Sequence, residues 1–187
     1  MTARAPTLPH TSPLAEPVGL PPHGTTRLVL VHALVWALLQ WLAQSNLDSY
    51  HDMLENFAWA QTFEWGTFKH PPLFAWVVGA WFTIFPTADW AYRLLAYTNV
   101  AVGLWGVAAL ARRLHLPHLA PTAVLLLLWA LPYTTLAAKF NANSQLLSLW
   151  PWTAVALLAC LETTGRARWA WHVGLGLLAA ASFLSKY

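Results

Sequence analysis

Charge is what this chain has least of. Only 9% of its 187 residues are Asp, Glu, Lys or Arg, against 58% hydrophobic, a balance far on the apolar side of a soluble domain. Cysteine is nearly missing as well: the single Cys160, set in an apolar run, excludes a disulfide framework and a cysteine-built metal site. A net charge of +3 and a pI near 9.3 would suit a nucleic-acid binder, but the basic residues gather in no run. They are split among short loops, where they report membrane topology instead. Tryptophan is what abounds: thirteen Trp, with five Tyr, suit the headgroup boundary, where a ring keeps one end dry and one wet. Most of these rings serve as anchors and packing. The composition is that of an all-α, polytopic helical membrane protein.

Residues 1–26 hold Pro6, Pro9, Pro13, Pro17, Pro21 and Pro22 among Thr, His and Gly. Such a stretch cannot bury a core and reads as a disordered, Pro-rich cytoplasmic tail. It is no signal peptide, because the apolar run begins late and no small-residue cleavage site follows a basic start. Residues 27–187 read as a transmembrane module with spans over 28–44, 91–111, 121–138, 146–161 and 169–185. His32, inside the first, reads as a packed histidine. Over 50–65, apolar Met53, Leu54, Phe57, Ala60 and Phe63 recur at three- and four-residue steps, while Asp52, Glu55, Asn56 and Gln61 fill the remainder. That is an amphipathic helix lying on the membrane surface, ended by Gly66-Thr67 and the helix-breaking Pro71-Pro72.

The next apolar stretch, 73–85, covers only about 20 Å as a helix, against a hydrocarbon core of about 30 Å. It reads as a second interfacial helix that does not cross. The charge pattern agrees: if it stays outside, Arg112-Arg113 and Arg166/Arg168 fall on the cytoplasmic side with Arg4 and Arg27. Asp48 to Leu73, Lys139 to Gln145 and Lys186-Tyr187 then share one outer face. Arg93 is the exception, expected to snorkel to headgroups or pair with Asp89 one turn earlier. The chain stops at Lys186-Tyr187 as a span closes, which reads as the N-terminal part of a longer protein.

Polar chemistry collected at a membrane border is a site hypothesis by default, and three clusters qualify. Asp52 and Glu55 sit three residues apart on one helical turn, with Asp48 a turn earlier. Such carboxylates could act as a general base or hold a divalent cation, or simply keep a wet face wet. Lys69-His70-Pro71-Pro72 presents a cation and a titratable ring on a rigid corner suited to a lipid phosphate. The bland alternative is a snorkelling lysine. His70 could ligate a metal only with a second ligand such as Glu55 or His51. In Lys139-Phe-Asn-Ala-Asn-Ser144, Asn141 and Asn143 could bind sugar hydroxyls, but capping of the helix beginning near Ser144 is the simpler reading.

Asp52, followed eighteen residues later by His70-Pro-Pro-Leu across an aromatic-rich amphipathic helix, resembles the first outer loop of GT-C fold glycosyltransferases that use polyprenyl-phosphate donors. The closest group is family 39, which includes the protein mannosyltransferases and aminoarabinose transferases. The resemblance runs from about Leu28 to Tyr187 and takes in Arg112-Arg113, the polar turn and the Ser-Lys-Tyr end. It implies a hexosyl- or pentosyl-transferase integral to the plasma or inner membrane, with its active face extracytoplasmic. Sugar would pass from the lipid carrier to a lipid, glycan or protein acceptor, with no nucleic acid involved.

The resemblance further implies Asp52 as the catalytic carboxylate and Glu55, with Asp48, as assisting acid or metal holder. Lys69 and His70 would meet the donor phosphate, and Lys139, Asn141, Asn143 and Lys186 would bind substrate. Relatives often carry an acidic residue where this chain has Asn141 and Asn143, which puts a second carboxylate, and a divalent cation with it, in doubt. The competing classes are a polytopic transporter, which would place ionisable groups at mid-membrane rather than at its border, and a non-catalytic membrane scaffold subunit, which needs no acid-base cluster.

Overall fold

The computed structural model describes residues 22–44 and 51–186, so Asp48, Tyr187 and residues 1–21 of the expected tail lie outside the described residues. Among the described residues there are seven α-helices and no strand. Helix α1 is Pro22–Ala43, α4 is Asp89–Arg113 and α6 is Ala142–Glu162. At 1.5 Å per residue these run about 30 to 38 Å, enough to cross a bilayer core. All three are long and apolar enough to do so. Among the described residues helix α1 extends upstream of the expected span, to Pro22.

These helices put small residues inward and large ones outward. On α1, Val29, Ala33 and Ala37 are buried at four-residue steps while Leu34, Leu38 and Leu42 are exposed. On α4, Ala101, Gly103, Gly106 and Ala108 face the interior. That arrangement lets backbones approach closely where lipid, rather than water, surrounds the bundle. A Cβ on Gly103 would run into the Leu147 carbonyl of α6, and one on Gly106 would lie 2.8 Å from Pro151 Cβ. Polar side chains tie the same seam. Asn99 donates to Ser144 O (2.7 Å), Ser148 Oγ donates to Asn99 Oδ1 (2.6 Å), and Trp152 Nε1 donates to Val102 O (2.9 Å).

The contacts fix the direction of each element. Arg93, near the start of α4, reaches Gln44 O at the end of α1, so these two are antiparallel. Asn99 meets the start of α6 and Arg113 pairs with Glu162 at its end (3.2 Å), so α4 and α6 run parallel. Helix α7 (Arg166–Ser185) returns antiparallel, with Ser185 Oγ donating to Ala142 O at 3.0 Å. It has the length to cross, but Arg166, Arg168 and His172 in its first two turns lower its hydropathy, and it is not among the crossing-capable helices.

The chain must therefore climb from Arg113 back to Asn141. It does so along α4 as a broken passage rather than as one straight helix over 121–138: α5 (Ala120–Leu128), entered from a 3-10 turn at Pro117–Leu119, then two more 3-10 turns, Leu131–Tyr133 and Leu136–Ala138. The two halves are bent by 87°. Pro132 supplies one cause, since it cannot donate and restricts the residue before it. Carbonyls in the irregular part are satisfied by side chains from other elements: Thr134 O by Tyr97 (2.8 Å), Tyr133 O by the His32 ring (2.9 Å), Ala138 O by Arg93 (3.1 Å) and Phe140 O by Asn56 (2.7 Å). Irregular backbone inside a membrane bundle survives only when protein groups satisfy it in this way.

Helices α2 (His51–Ala60) and α3 (Leu73–Ile84) cover one end of the bundle. Phe74, at the start of α3, packs on Trp59 of α2. Near its end, Phe82 packs edge-on to Phe57 of α2 and to Tyr92 at the start of α4, and Trp81 Nε1 donates to Ala91 O at 2.9 Å. Both ends of α3 are thus tied to elements at the same end of the bundle. Helix α2 stops at Ala60, short of the expected 65, and the turn after it holds Phe63 at a positive φ of 47°.

Candidate active site

The end of the bundle capped by α2 and α3 gathers, from four distant parts of the chain, most of the charged and amide groups singled out in the sequence. Asp52 and Glu55 come from α2, Lys69 and His70 from the turn before α3, Asn141 and Asn143 from the start of α6, and Lys186 from the end of α7.

Each is placed by local structure. The turn over 67–70 closes on itself: Thr67 N donates to His70 O (2.9 Å), and Thr67 Oγ1 accepts from His70 N (3.1 Å) and Lys69 N (3.3 Å). Pro71 and Pro72 follow, so the Lys-His corner has little backbone freedom left. Asn141 caps α6: its Oδ1 accepts from Asn143 N and Ser144 N at 3.0 Å each, while Ser144 Oγ accepts from Asn141 N at 2.8 Å, a reciprocal capping box. The capping reading and the site reading coincide here, because the amide nitrogen of the same side chain donates to Asp52 Oδ2 at 3.0 Å across 89 residues of sequence. Asp52 is exposed, and its other oxygen has no hydrogen-bond partner among the described residues.

Asp52, Glu55, Lys69, His70, Asn141 and Asn143 line one cavity of about 120 Å³, together with Asn56 and Trp59. Lys69 Nζ bridges both oxygens of Glu55 at 2.7 Å. With both side chains more than a third exposed, this pair adds little stability but sets where the ammonium rests. Lys186 Nζ donates to Asn143 Oδ1 at 2.6 Å. Burial lowers the pKa of His70 below its ordinary 6.5, and the Lys186 and Lys69 cations lower it further, against Asp52 and Glu55, which raise it. At neutral pH the ring is therefore uncharged, able to donate one N–H. It takes a proton only as pH falls below its usual range, or when an added anion offsets the two lysines.

Lys139 stands apart from this group. It lines a second cavity of about 250 Å³ with Pro132, Leu136, Ser144 and Leu147, which shares only Asn141 and Asn143 with the polar cavity. A third, of about 520 Å³, continues from Asn143 and Leu147 along α6 to Trp150 and Ala154. Asn143 thus lines all three, so the polar cavity adjoins an apolar groove along α6. As for a metal, no group of three His, Cys, Asp or Glu is brought together among the described residues. Glu55 is already engaged by the Lys69 ammonium.

Two residues read otherwise from the sequence turn out to organise the site. Asn56, counted on the wet face of α2, is 2% exposed. Met53, Asn56 and Ala60 share the buried stripe at three- and four-residue spacing, a pattern that an asparagine among apolar positions hides. Arg93, expected at the headgroups or paired with Asp89, is fully buried, donating to Ala138 O at 3.1 Å and to Gln44 O at 3.4 Å with Met53 Sδ at 4.0 Å. A buried arginine at membrane depth faces the bundle interior and satisfies backbone carbonyls. It ties the end of α1, the stretch before α6 and α2 to one point.

No curated protein and no solved structure matches the chain. A family model does: dolichyl-phosphate-mannose-protein mannosyltransferase, over residues 69–187, which takes in the Lys-His-Pro-Pro corner, Asn141, Asn143 and Lys186 and begins downstream of Asp52. With that match covering more than half of the chain, and with a helical membrane bundle under it, this protein belongs to the dolichyl-phosphate-mannose-protein mannosyltransferase family of GT-C membrane glycosyltransferases.

Proposed function

We propose that this chain forms the donor-and-base face of a glycosyltransferase that moves a sugar from a polyprenyl-phosphate carrier to an acceptor hydroxyl on the extracytoplasmic side of the membrane. The observation that carries the reading is the Asn141–Asp52 contact inside the cavity that also holds Lys69 and His70. A carboxylate with an open oxygen thus shares one cavity with a cationic corner.

In this reading Asp52 Oδ1 takes the proton of the acceptor hydroxyl as its oxygen attacks the anomeric carbon. The bond between that carbon and the carrier phosphate breaks, and its electron pair stays on the phosphate. Lys69, Lys186 and the N–H of His70 stabilise the charge that collects there. Trp59 offers a flat wall to the sugar ring, and the apolar groove along α6 takes the first isoprene units of the carrier. The opposite end of the bundle carries Arg27, Arg112, Arg113, Arg166 and Arg168 against Glu162, the pattern of a cytoplasmic face. That leaves the cavity outside.

The donor-phosphate assignment is tested by Lys69→Met in the intact protein, assayed in membranes with a labelled polyprenyl-phosphate sugar. A charge-assisted contact to phosphate is worth about 1.5–3 kcal/mol, so the donor KM should rise by roughly 10- to 100-fold. Glu55→Gln, which releases Lys69 from its bidentate partner, should leave the donor KM unchanged or lower it. An unchanged donor KM in Lys69→Met would remove Lys69 from the phosphate site.

A further inference from the structure

The cavity-lining side chain with no chemistry assigned to it is Asn56. It lies one helical turn after Asp52 on α2, so the two project toward the same side of the helix. It is also the more buried of the two, and its Nδ2 donates to Phe140 O at 2.7 Å. Phe140 immediately precedes Asn141, whose amide holds Asp52 at 3.0 Å. Successive turns of α2 are therefore bonded to successive residues of the strap that leads into α6. The strap itself is anchored on its far side, by Arg93 at Ala138 O and by Ser185 at Ala142 O.

A helix of ten residues does not hold its own position in isolation. Phe57 and Trp59 pack the flank of α2 against α3, and Tyr92 OH donates to Met53 O at 3.2 Å, but without Asn56 the side of α2 that meets the strap would have the Asn141 bond alone to set the Asp52 carboxylate against the acceptor hydroxyl. The Asn56 bond one turn away fixes that side at a second point. We infer that Asn56 is a positioning residue for the transfer reaction, locking the α2 turn that carries Asp52 onto the Phe140-Asn141 strap so that the carboxylate is held within hydrogen-bond reach of the acceptor hydroxyl. The inference rests on the reading of Asp52 as the base.

A displacement of about 1 Å at a reacting group costs about 10²-fold in rate. Asn56→Ala in the intact protein should therefore lower kcat by about that factor, leave the donor KM near wild type because Lys69 and His70 are untouched, and keep a cooperative melting transition. Asn56→Ser, smaller but retaining a donor, should show the same kcat-only loss in milder form. An unchanged kcat per folded molecule would overturn the inference, as would a parallel change in kcat and donor KM. Failure of both variants to fold would also overturn it, by making Asn56 part of the scaffold alone. Asp52→Asn, assayed alongside, separates the two readings. Wild-type transfer there sinks the base assignment itself, whereas an inactive Asp52→Asn beside a normal Asn56→Ala sinks only the positioning role.

Discussion

Replacing Asp52 by Asn is expected to lower sugar transfer by about 10²- to 10⁴-fold, the usual contribution of a general base, while leaving the donor KM little changed. The substitution is a narrow one. An asparagine has nearly the same shape, and its carbonyl oxygen can still accept from Asn141 Nδ2, which now bonds Asp52 Oδ2 at 3.0 Å. Helix α2, the Asn56 bond and the Lys69–Glu55 pair have no reason to move. Only the proton acceptor disappears. The readout is kcat for transfer from a labelled polyprenyl-phosphate sugar in membranes, with melting temperature as the control for folding. A kcat equal to wild type would reject the base assignment. A higher donor KM with unchanged kcat would recast Asp52 as a binding group.

The second large effect is structural. Gly103→Val should destabilise the protein by about 3 kcal/mol or more, because the new side chain meets backbone rather than a side chain that can turn away. Its Cβ would collide with the Leu147 carbonyl, which sits in the first turns of α6. The two helices must then separate, and the Asn99–Ser144 and Ser148–Asn99 hydrogen bonds along the same seam (2.7 and 2.6 Å) are pulled apart with them. Asn141 caps that same end of α6, so whatever protein still folds should also lose activity. Gly174→Val is the matched control, since a Cβ there has nothing within 4 Å. A large drop in melting temperature and yield for Gly103→Val, with none for Gly174→Val, is the expected pair. Equal melting of the two would mean that the seam is looser than drawn.

Much of this was legible in the sequence, for reasons that also explain what was not. Long apolar runs announce crossing-capable helices whatever their neighbours, so α1, α4 and α6 are readable by length alone. The stretch forming α3 was readable as an exception because twelve or thirteen residues cannot span a bilayer core. Charge placement carried the rest: Arg pairs in two loops imply which polar turns share a face, and Asp52 and Asn141 do meet across 89 residues. Patterning failed where lipid surrounds the bundle. Both faces of such helices are apolar, so inward and outward positions do not alternate with polarity, and the inward stripe is marked by small residues instead. That is why Arg93 and Asn56 were misplaced, each being a polar residue turned toward an interior that no apolar stripe outlined. The 87° break before α6 was hidden for a similar reason, since Leu-rich sequence continues up to Trp129 and only Pro132 hints at it.

The central claim is that α3 returns to the side it started from, leaving the acid of α2 and the Lys-His corner on one surface opposite the arginine-rich end. It is tested most directly by single cysteines in a Cys160→Ala background, at the exposed positions Gln61, Thr87 and Thr164, labelled in intact cells with a membrane-impermeant maleimide. Positions 61 and 87, which flank α3, should both label from outside while 164 is spared. Labelling of 61 and 87 from opposite sides would contradict the account, because α3 would then cross the membrane and the two Arg pairs would face outward.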